Sequence, residues 1–589
     1  MIKLLRNYLK PYIPALAGAL ALLMLQAVCE LTLPNMMSEL VNTGIMGSGL
    51  AEGADLAQAR FQFIVQEGMK MLLVTLCDVA AAIGVVLLAA RISAGVSRTM
   101  RHDVFAKVES FSNAEFDRFS TASLITRTTN DIQQIQMLLV MGIRMMCYAP
   151  IMGIGGVVMA LNKSVSMSWI IAVAILVILG IIMIAYALAV PKFKVLQSLV
   201  DRLNLVSREN LTGMMVIRAF GNETYEEKRF EKANRELRDT NFFTQSVMSV
   251  LMPAMMLTMN LLSLSIVWLG GKAIAASQMQ VGDMMAFIQY AMQIIMAFLL
   301  IAMMFIMVPR AAVAAQRIRE VLETESGVKD PEKPQTLGTT PQGEIAFHHV
   351  SFRYAGAEDD VLHDITFTAY PGQTTAFIGS TGSGKSTLLN LIPRFYDVTE
   401  GEVTYDGIDV RDLRQQELRA NIGYIPQKGL LFSGTIESNI RYGREEASAE
   451  EIRQAIEVAQ AAEFVDANPQ KEQLDISQGG GNVSGGQKQR LSIARALVRK
   501  PAVYLFDDSF SALDFKTDAA LRSALKEYTG DAAVLIVAQR VSTIMHAEQI
   551  VVLDEGRVVG IGTHEELLRS CREYREIAQS QLSQRELGA

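Results

Sequence analysis

The stretch Gly379-Ser380-Thr381-Gly382-Ser383-Gly384-Lys385-Ser386-Thr387 decides how the chain is read. It follows an apolar β-type run, Thr375-Ala376-Phe377-Ile378, and leads into a helical pattern, Leu388-Leu389-Asn390-Leu391-Ile392. The spacing is G-x-x-x-x-G-K-[ST] between strand and helix, the setting in which such a loop wraps a phosphate chain. Its glycines let successive N–H groups and a helix N-terminus converge on one anion. Lys385 is placed to reach the β- and γ-phosphates, and Ser386 to offer a hydroxyl to Mg2+.

Outward from this loop the composition divides the chain. Of 589 residues half are hydrophobic, and long, almost uncharged runs fill the first part. Beyond about Pro331 the pattern is that of a soluble α/β domain. A net charge of −7 gives no footprint for nucleic acid. Cys29, Cys77, Cys147 and Cys571 have no metal-ligand or redox spacing and read as small apolar side chains. The first apolar run is too long for a cleavable signal peptide.

Six runs are long enough to cross a bilayer as helices: 14–41, 62–90, 139–161, 168–190, 248–271 and 283–308. The stretch 91–138 carries Arg91, Arg98, Arg101, Lys107, Arg118 and Arg127, and 191–247 is richer still in basic residues. The alternate connections hold only Arg60, Lys163 and Lys272. Both termini and the two long loops are therefore expected in the cytoplasm. Apolar residues recur among the loop charges, as in Phe105-x-x-Val108-x-x-Phe111, so each loop reads as membrane helices prolonged into the cytosol and joined by a hairpin. Within the spans, Glu30, Asp78 and Arg144 are ionisable, and such groups usually face a cavity or a partner. Methionines are frequent, among them Met252, Met255, Met256, Met259, Met284, Met285, Met292, Met296, Met303 and Met304. They suit packing, lipid contact, or a surface that re-packs around apolar ligands.

The domains expected are a six-helix transmembrane part over 1–321, a linker over 322–343, an α/β nucleotide domain over 344–579 and a tail over 580–589. In the nucleotide domain, strands are expected at 345–354, 422–425, 502–506 and 533–537. A hairpin of 550–553 and 558–561 should turn at Asp554-Glu555-Gly556. Strands alternating with helical patterns imply a mainly parallel sheet.

Asn482-Val483-Ser484-Gly485-Gly486-Gln487 resembles the signature motif of the ATP-binding-cassette (ABC) superfamily. Gln427 after Tyr424-Ile-Pro matches the Q-loop, Leu505-Phe-Asp507 the Walker B strand and Ser511-Ala-Leu-Asp514 the D-loop. Tyr354 stands where that family stacks an aromatic ring on adenine. The segment from Arg208-Glu-Asn-Leu to Val216-Ile-Arg-Ala-Phe220 looks like the second cytoplasmic loop of ABC exporters. The resemblance implies ATP and Mg2+ as ligands, with Ser386, Gln427 and Asp507 around the cation. It also implies that the signature of one cassette closes over ATP held by another, so a chain with one cassette must pair.

Two positions depart from the family's pattern. A glutamate acting as general base is expected after Asp507, and here stands Asp508. The carboxylate is withdrawn by about 1 Å, a misplacement that can cost about 10²-fold in rate. A switch histidine is expected after Val537-Ala538, and here stands Gln539, which can donate a hydrogen bond but cannot carry a positive charge. Gln478 also replaces an expected acid ahead of the signature. The pattern resembles the degenerate subunit of a heterodimeric bacterial exporter in the inner membrane. Such a pair would move amphipathic, drug- or lipid-like molecules with the help of a homologous half-transporter. A slow homodimer and an ATP-gated channel fit the same residues, whereas the spans oppose a soluble ATPase.

Overall fold

The computed structural model describes residues 2–48 and 56–582. The tail expected over 580–589 therefore lies, from 583 onward, outside the described residues. The chain forms two compact units, Met1–Val108 with Ala122–Glu323, and Glu109–Thr121 with Thr324–Ala589.

In the first unit all six expected spans are helices: Lys3–Ile45, Ala57–Glu109, Thr121–Lys163, Val165–Thr212, Glu223–Ala275 and Val281–Glu323. A helix satisfies its own backbone in hydrocarbon, which is why apolar runs of this length adopt it. Pro34, Pro150, Pro191, Pro253 and Pro309 lie inside these helices. Each removes a backbone donor, and six residues past Pro34 the first span loosens into a π-turn over Leu40–Ile45.

Spans 1, 3 and 6 pack through small residues. A Cβ on Gly156 would stand 2.8 Å from Ile294 Cγ1, and one on Gly155 2.4 Å from Leu31 Cδ1. Ala27, Ala149, Ala291 and Ala297 share this core, the close approach that helices in lipid require. Tyr290, fully buried, donates to Leu31 O at 2.9 Å. A polar knot joins the same three helices near their non-cytoplasmic ends. There Asp283 Oδ1 accepts from Lys163 Nζ and Ser38 Oγ, both at 2.7 Å, and Gly282 N donates to Asn42 Oδ1 at 2.7 Å.

The long helices meet in short tip helices. One, Asn113–Phe119, belongs to the second unit and starts with a capping box of Ser112 and Glu115. The other, Met214–Phe220, ends at Gly221, whose φ of 64° is the left-handed conformation that glycine adopts freely.

Among the described residues the second unit holds three sheets. The strands are β1 (Ile345–Phe352), β2 (Leu362–Ala369), β3 (Thr374–Gly379), β4 (Glu400–Tyr405), β5 (Ile408–Asp409), β6 (Ile422–Ile425), β7 (Gly434–Thr435), β8 (Asp475–Ile476), β9 (Val503–Asp507), β10 (Ala533–Val537), β11 (Gln549–Asp554) and β12 (Arg557–Gly562). The principal sheet has the order β12-β11-β3-β10-β9-β6. From β11 to β6 it is parallel, while β12 returns antiparallel as the expected hairpin. An antiparallel sheet, β2-β1-β4-β5, was not foreseen from the sequence. β1 ends at Phe352, so Tyr354 stands beyond the strand rather than in it. β1 is buried at both ends and exposed at His348 and His349, and two irregularities break its register with β2.

Candidate nucleotide site

Parallel strands bring their C-terminal ends to one edge, and ligands bind where those ends leave a crevice. Here β3 ends at Gly379, β9 at Asp507, β10 at Val537 and β6 at Ile425. Val537 pairs with Asp507 and with Phe377, and Ile425 pairs with Phe506. This register gathers the phosphate-type loop, Asp507, Asp508, Gln427 and Gln539 from four separate stretches of sequence.

The loop leaves β3 and enters the helix Lys385–Leu391 through Gly384, whose φ of 91° favours glycine. A Cβ there would also lie 2.6 Å from Leu362 Cδ2. Gly382, at φ 89°, faces open space where a ligand's oxygens could approach the backbone. Ser380, Thr381 and Ser383 complete the loop. Lys385 is buried and folds back over it, donating to Gly379 O (3.0 Å), Ser380 O (2.7 Å) and Ser383 Oγ (3.2 Å). Burial lowers the pKa of its ammonium, while Asp508 and Asp507 oppose that shift. Ser386 Oγ donates to Asp507 Oδ1 at 2.7 Å. Burial raises the Asp507 carboxyl above the usual range, Ser386 opposing and Asp508 adding to it. A buried carboxylate beside a hydroxyl is a donor set of hard oxygens that suits Mg2+.

Asp508 is buried, and one of its oxygens takes two amide donors. Oδ2 accepts from Gln539 Nε2 at 2.8 Å and from Gln427 Nε2 at 3.1 Å. Its backbone has φ 45°, a left-handed value held by Asp508 N donating to Val537 O (3.0 Å) and Ser511 Oγ donating to Asp508 O (2.9 Å). Aspartate visits this region more readily than longer side chains do, because it can bond locally.

Tyr354 OH and Thr387 Oγ1 share a hydrogen bond of 2.9 Å. The Tyr354 ring meets Phe352 edge-on at 4.8 Å and Tyr396 at 5.3 Å. Tyr396 was not foreseen. Its phenol lies near Asn113 and Asp117 on the first tip helix, and burial with the charge of Asp117 pushes it up to about 12. Nothing in its local sequence, Pro393-Arg-Phe-Tyr-Asp397, marks this role.

The signature residues form a separate element. Ser484 caps the helix Gly485–Leu497: its Oγ accepts from Gln487 N at 3.3 Å, and Gln487 Oε1 accepts from Ser484 N at 2.9 Å. A Cβ on Gly485 would meet nothing within 4 Å, whereas Gly486 approaches Ala512 O of the D-loop segment. Gln478 opens a tight turn, Gln478–Gly480, tied by Ser477 and Asn482.

In the first unit, Glu30 accepts from Gln26 Nε2 (3.0 Å) and from Tyr148 OH, joining spans 1 and 3. Asp78 Oδ1 is buried without a hydrogen-bond partner.

A parallel sheet with a phosphate-type loop at its switch point, a capped signature helix and six membrane helices define a membrane transporter powered by a nucleotide cassette. Sequence comparison agrees: residues 16–298 match the ABC transporter transmembrane region, and 362–511 match the ABC transporter cassette. An uncharacterized ABC transporter ATP-binding protein of Mycobacterium tuberculosis is 42% identical over 586 residues, 99% of this chain and 98% of that protein. A fatty acid ABC transporter ATP-binding/permease protein of the same species is 33% identical over 482 residues, covering 80% of this chain and 75% of the relative. The solved structure of a bacterial Atm1-family ABC exporter with ATP bound superposes with a TM-score of 0.78 at 26% identity, over 97% of this chain and 99% of that one. The chain belongs to the ABC transporter family. It is an ATP-driven exporter of the half-transporter kind, a multi-pass membrane protein whose cytoplasmic cassette hydrolyses ATP to drive transport.

Proposed function

We propose that this chain is one subunit of a heterodimeric exporter in a bacterial inner membrane. Its own Walker site binds ATP with Mg2+ but turns it over slowly, and its signature completes the faster site of a homologous partner. The observation that carries this reading is Asp508. The shorter carboxylate is held by two neutral amides, Gln427 and Gln539.

The loop Gly379–Thr387 cradles the phosphates with backbone N–H groups, and Tyr354 stacks on adenine. Lys385 turns from the carbonyls it now serves to the β- and γ-phosphates. Ser386, Asp507 and the Gln427 side-chain oxygen would hold Mg2+, which neutralises phosphate charge. Asp508 takes the proton of the attacking water, and Gln539 donates to the γ-phosphate without adding positive charge. Ser484, Gly485, Gly486 and Gln487 present a helix N-terminus to the ATP of the partner.

The two tip helices transmit cassette motion to the spans. In support, Tyr396 ties the first tip helix to the aromatic group around Tyr354, and the second exposes Met215, Val216 and Phe220. Amphipathic cargo, drug- or lipid-like, suits the exposed methionines Met252, Met256, Met285, Met296 and Met303. A relative named for fatty acids fits that class.

The test is the steady-state ATPase of two variants, each paired with an unaltered partner. Asp508→Asn should keep most of the activity, because that base contributes little. Gly485→Asp should lose nearly all of it, since its carboxylate meets only open space in its own chain and would repel the partner's γ-phosphate. Equal losses would indicate two equivalent sites and refute the degenerate-subunit reading.

A further inference from the structure

The segment that carries Gln539 is short: β10 ends at Val537 and a helix begins at Val541. Arg540 caps that helix with no side-chain hydrogen bond, leaving the N–H of Val541 to find a partner elsewhere. The partner is distant in sequence. Val541 N donates to Gln581 Oε1 at 2.8 Å, and Gln581 Nε2 donates to Gln539 O at 2.9 Å. One side-chain amide thus holds the backbone on both sides of Arg540, which needs a donor and an acceptor in a single planar group. The Arg540 guanidinium lies 5.0 Å from the centre of the Phe515 ring and fixes the third side of the loop.

Gln581 is itself well placed. It is the last residue of the helix Arg572–Gln581, which is seated in the core by fully buried Tyr574 and Ala578. Positions 574, 578 and 581 lie on one helical face, so the face that anchors the helix also aims the amide. His564 Nδ1 and Tyr574 OH, 2.6 Å apart, fasten the helix further.

We infer that Gln581 is a positioning residue for ATP hydrolysis. It fixes the backbone at 539–541 so that the Gln539 amide points at Asp508 Oδ2, 2.8 Å away. The inference rests on the reading of Asp508 and Gln539 given above. It makes the C-terminal helix, which lies outside the matched cassette region, part of the hydrolytic machinery. The side-chain amide of Gln581 bonds to the backbone of Gln539 and Val541, so its loss should act on turnover and not on ATP affinity.

The test uses the complex with its partner, the partner's own site disabled, in lipid nanodiscs, with ATP as the probe. Hydrogen exchange over 538–544, ATP affinity and slow ATP cleavage are measured for wild type, Gln581→Ala, Gln581→Glu and Asp508→Asn. Gln581→Ala should speed exchange at Val541 about 10-fold, leave ATP affinity within about twofold and lower cleavage several-fold. Gln581→Glu keeps the acceptor for Val541 but loses the donor to Gln539 O, so it should lower cleavage while Val541 stays protected. Unchanged exchange in Gln581→Ala would overturn the brace. Faster exchange with unchanged cleavage, where Asp508→Asn abolishes cleavage, would overturn its role in hydrolysis. Parallel loss of ATP affinity in Gln581→Ala would make the residue merely structural. Full cleavage in Asp508→Asn would instead overturn the underlying reading of Asp508, and the positioning role with it.

Discussion

At Asp508 a single carboxylate oxygen accepts from two glutamine amides, so the base is held by neutral donors that add no positive charge beside the γ-phosphate position. Restoring the family's residues should relieve this. Gln539→His with Asp508→Glu should raise turnover at this site by up to about 10²-fold, with either change alone giving less because both act on one transition state. The left-handed backbone at 508 tolerates Glu less well than Asp, so the gain should come with a lower melting temperature. Single-turnover ATP cleavage with the partner's site disabled reads the first effect, and thermal unfolding the second. A second residue-scale prediction concerns Tyr354. Tyr354→Ala should weaken ATP binding about 10-fold, the order of one aromatic stacking contact, and Tyr354→Trp should preserve it. Titration with a fluorescent ATP analogue separates these outcomes, and equal affinities would remove Tyr354 from the adenine site.

Among the elements, the strand ends explain why so much of the site was legible. Each motif sits just past an apolar run, and a parallel sheet sends all such ends to one edge, so Gly379, Asp507, Gln427 and Gln539 could be grouped before their distances were known. The antiparallel sheet escaped notice because β2 and β4 mix polar and apolar residues and exist through pairing with β1. Tyr396 and Gln581 were illegible for a related reason: their partners are Asp117 and Gln539, far off in sequence and without a shared spacing. The buried charges at the ends of β3 and β9 give an element-scale prediction. Burial raises the Asp507 carboxyl, so the folded, nucleotide-free chain binds that proton more tightly than the unfolded chain does. The penalty is full above the folded pKa and is relieved as pH falls through it. Asp507→Asn should therefore raise the melting temperature of the nucleotide-free protein, by roughly 2–4 °C per kcal/mol relieved in a domain of this size. The same variant should lose the extra stabilisation that Mg2+ gives with ATP. A melting temperature below that of the wild type would contradict this assignment. At the signature helix, Ser484→Ala removes the cap and should cost about 1 kcal/mol of cassette stability, visible as a lower midpoint in urea.

For the whole molecule, the separation between the Walker residues and the signature is the decisive feature. The Ser484 and Gln487 side chains cap each other's backbone N–H groups, and a Cβ on Gly485 would meet nothing within 4 Å among the described residues, so this helix N-terminus is left open for the phosphates of another cassette. Six spans, long cytoplasmic helices and the cassette were all readable from hydropathy, basic-residue bias and motif order, because lipid and phosphate each impose a strong local pattern. The role of Glu30 was not readable, since its partners Gln26 and Tyr148 are defined only by how spans 1 and 3 meet. The central claim is that this chain's site holds ATP while the partner's site turns over. The most direct measurement is the nucleotide retained by the purified complex after turnover with Mg2+ and ATP labelled on both the α- and γ-phosphates. One ATP per dimer, still carrying both labels and lost in a Lys385→Ala variant, is the expected result. Retention of ADP alone, or of intact ATP that Lys385→Ala leaves unchanged, would contradict it.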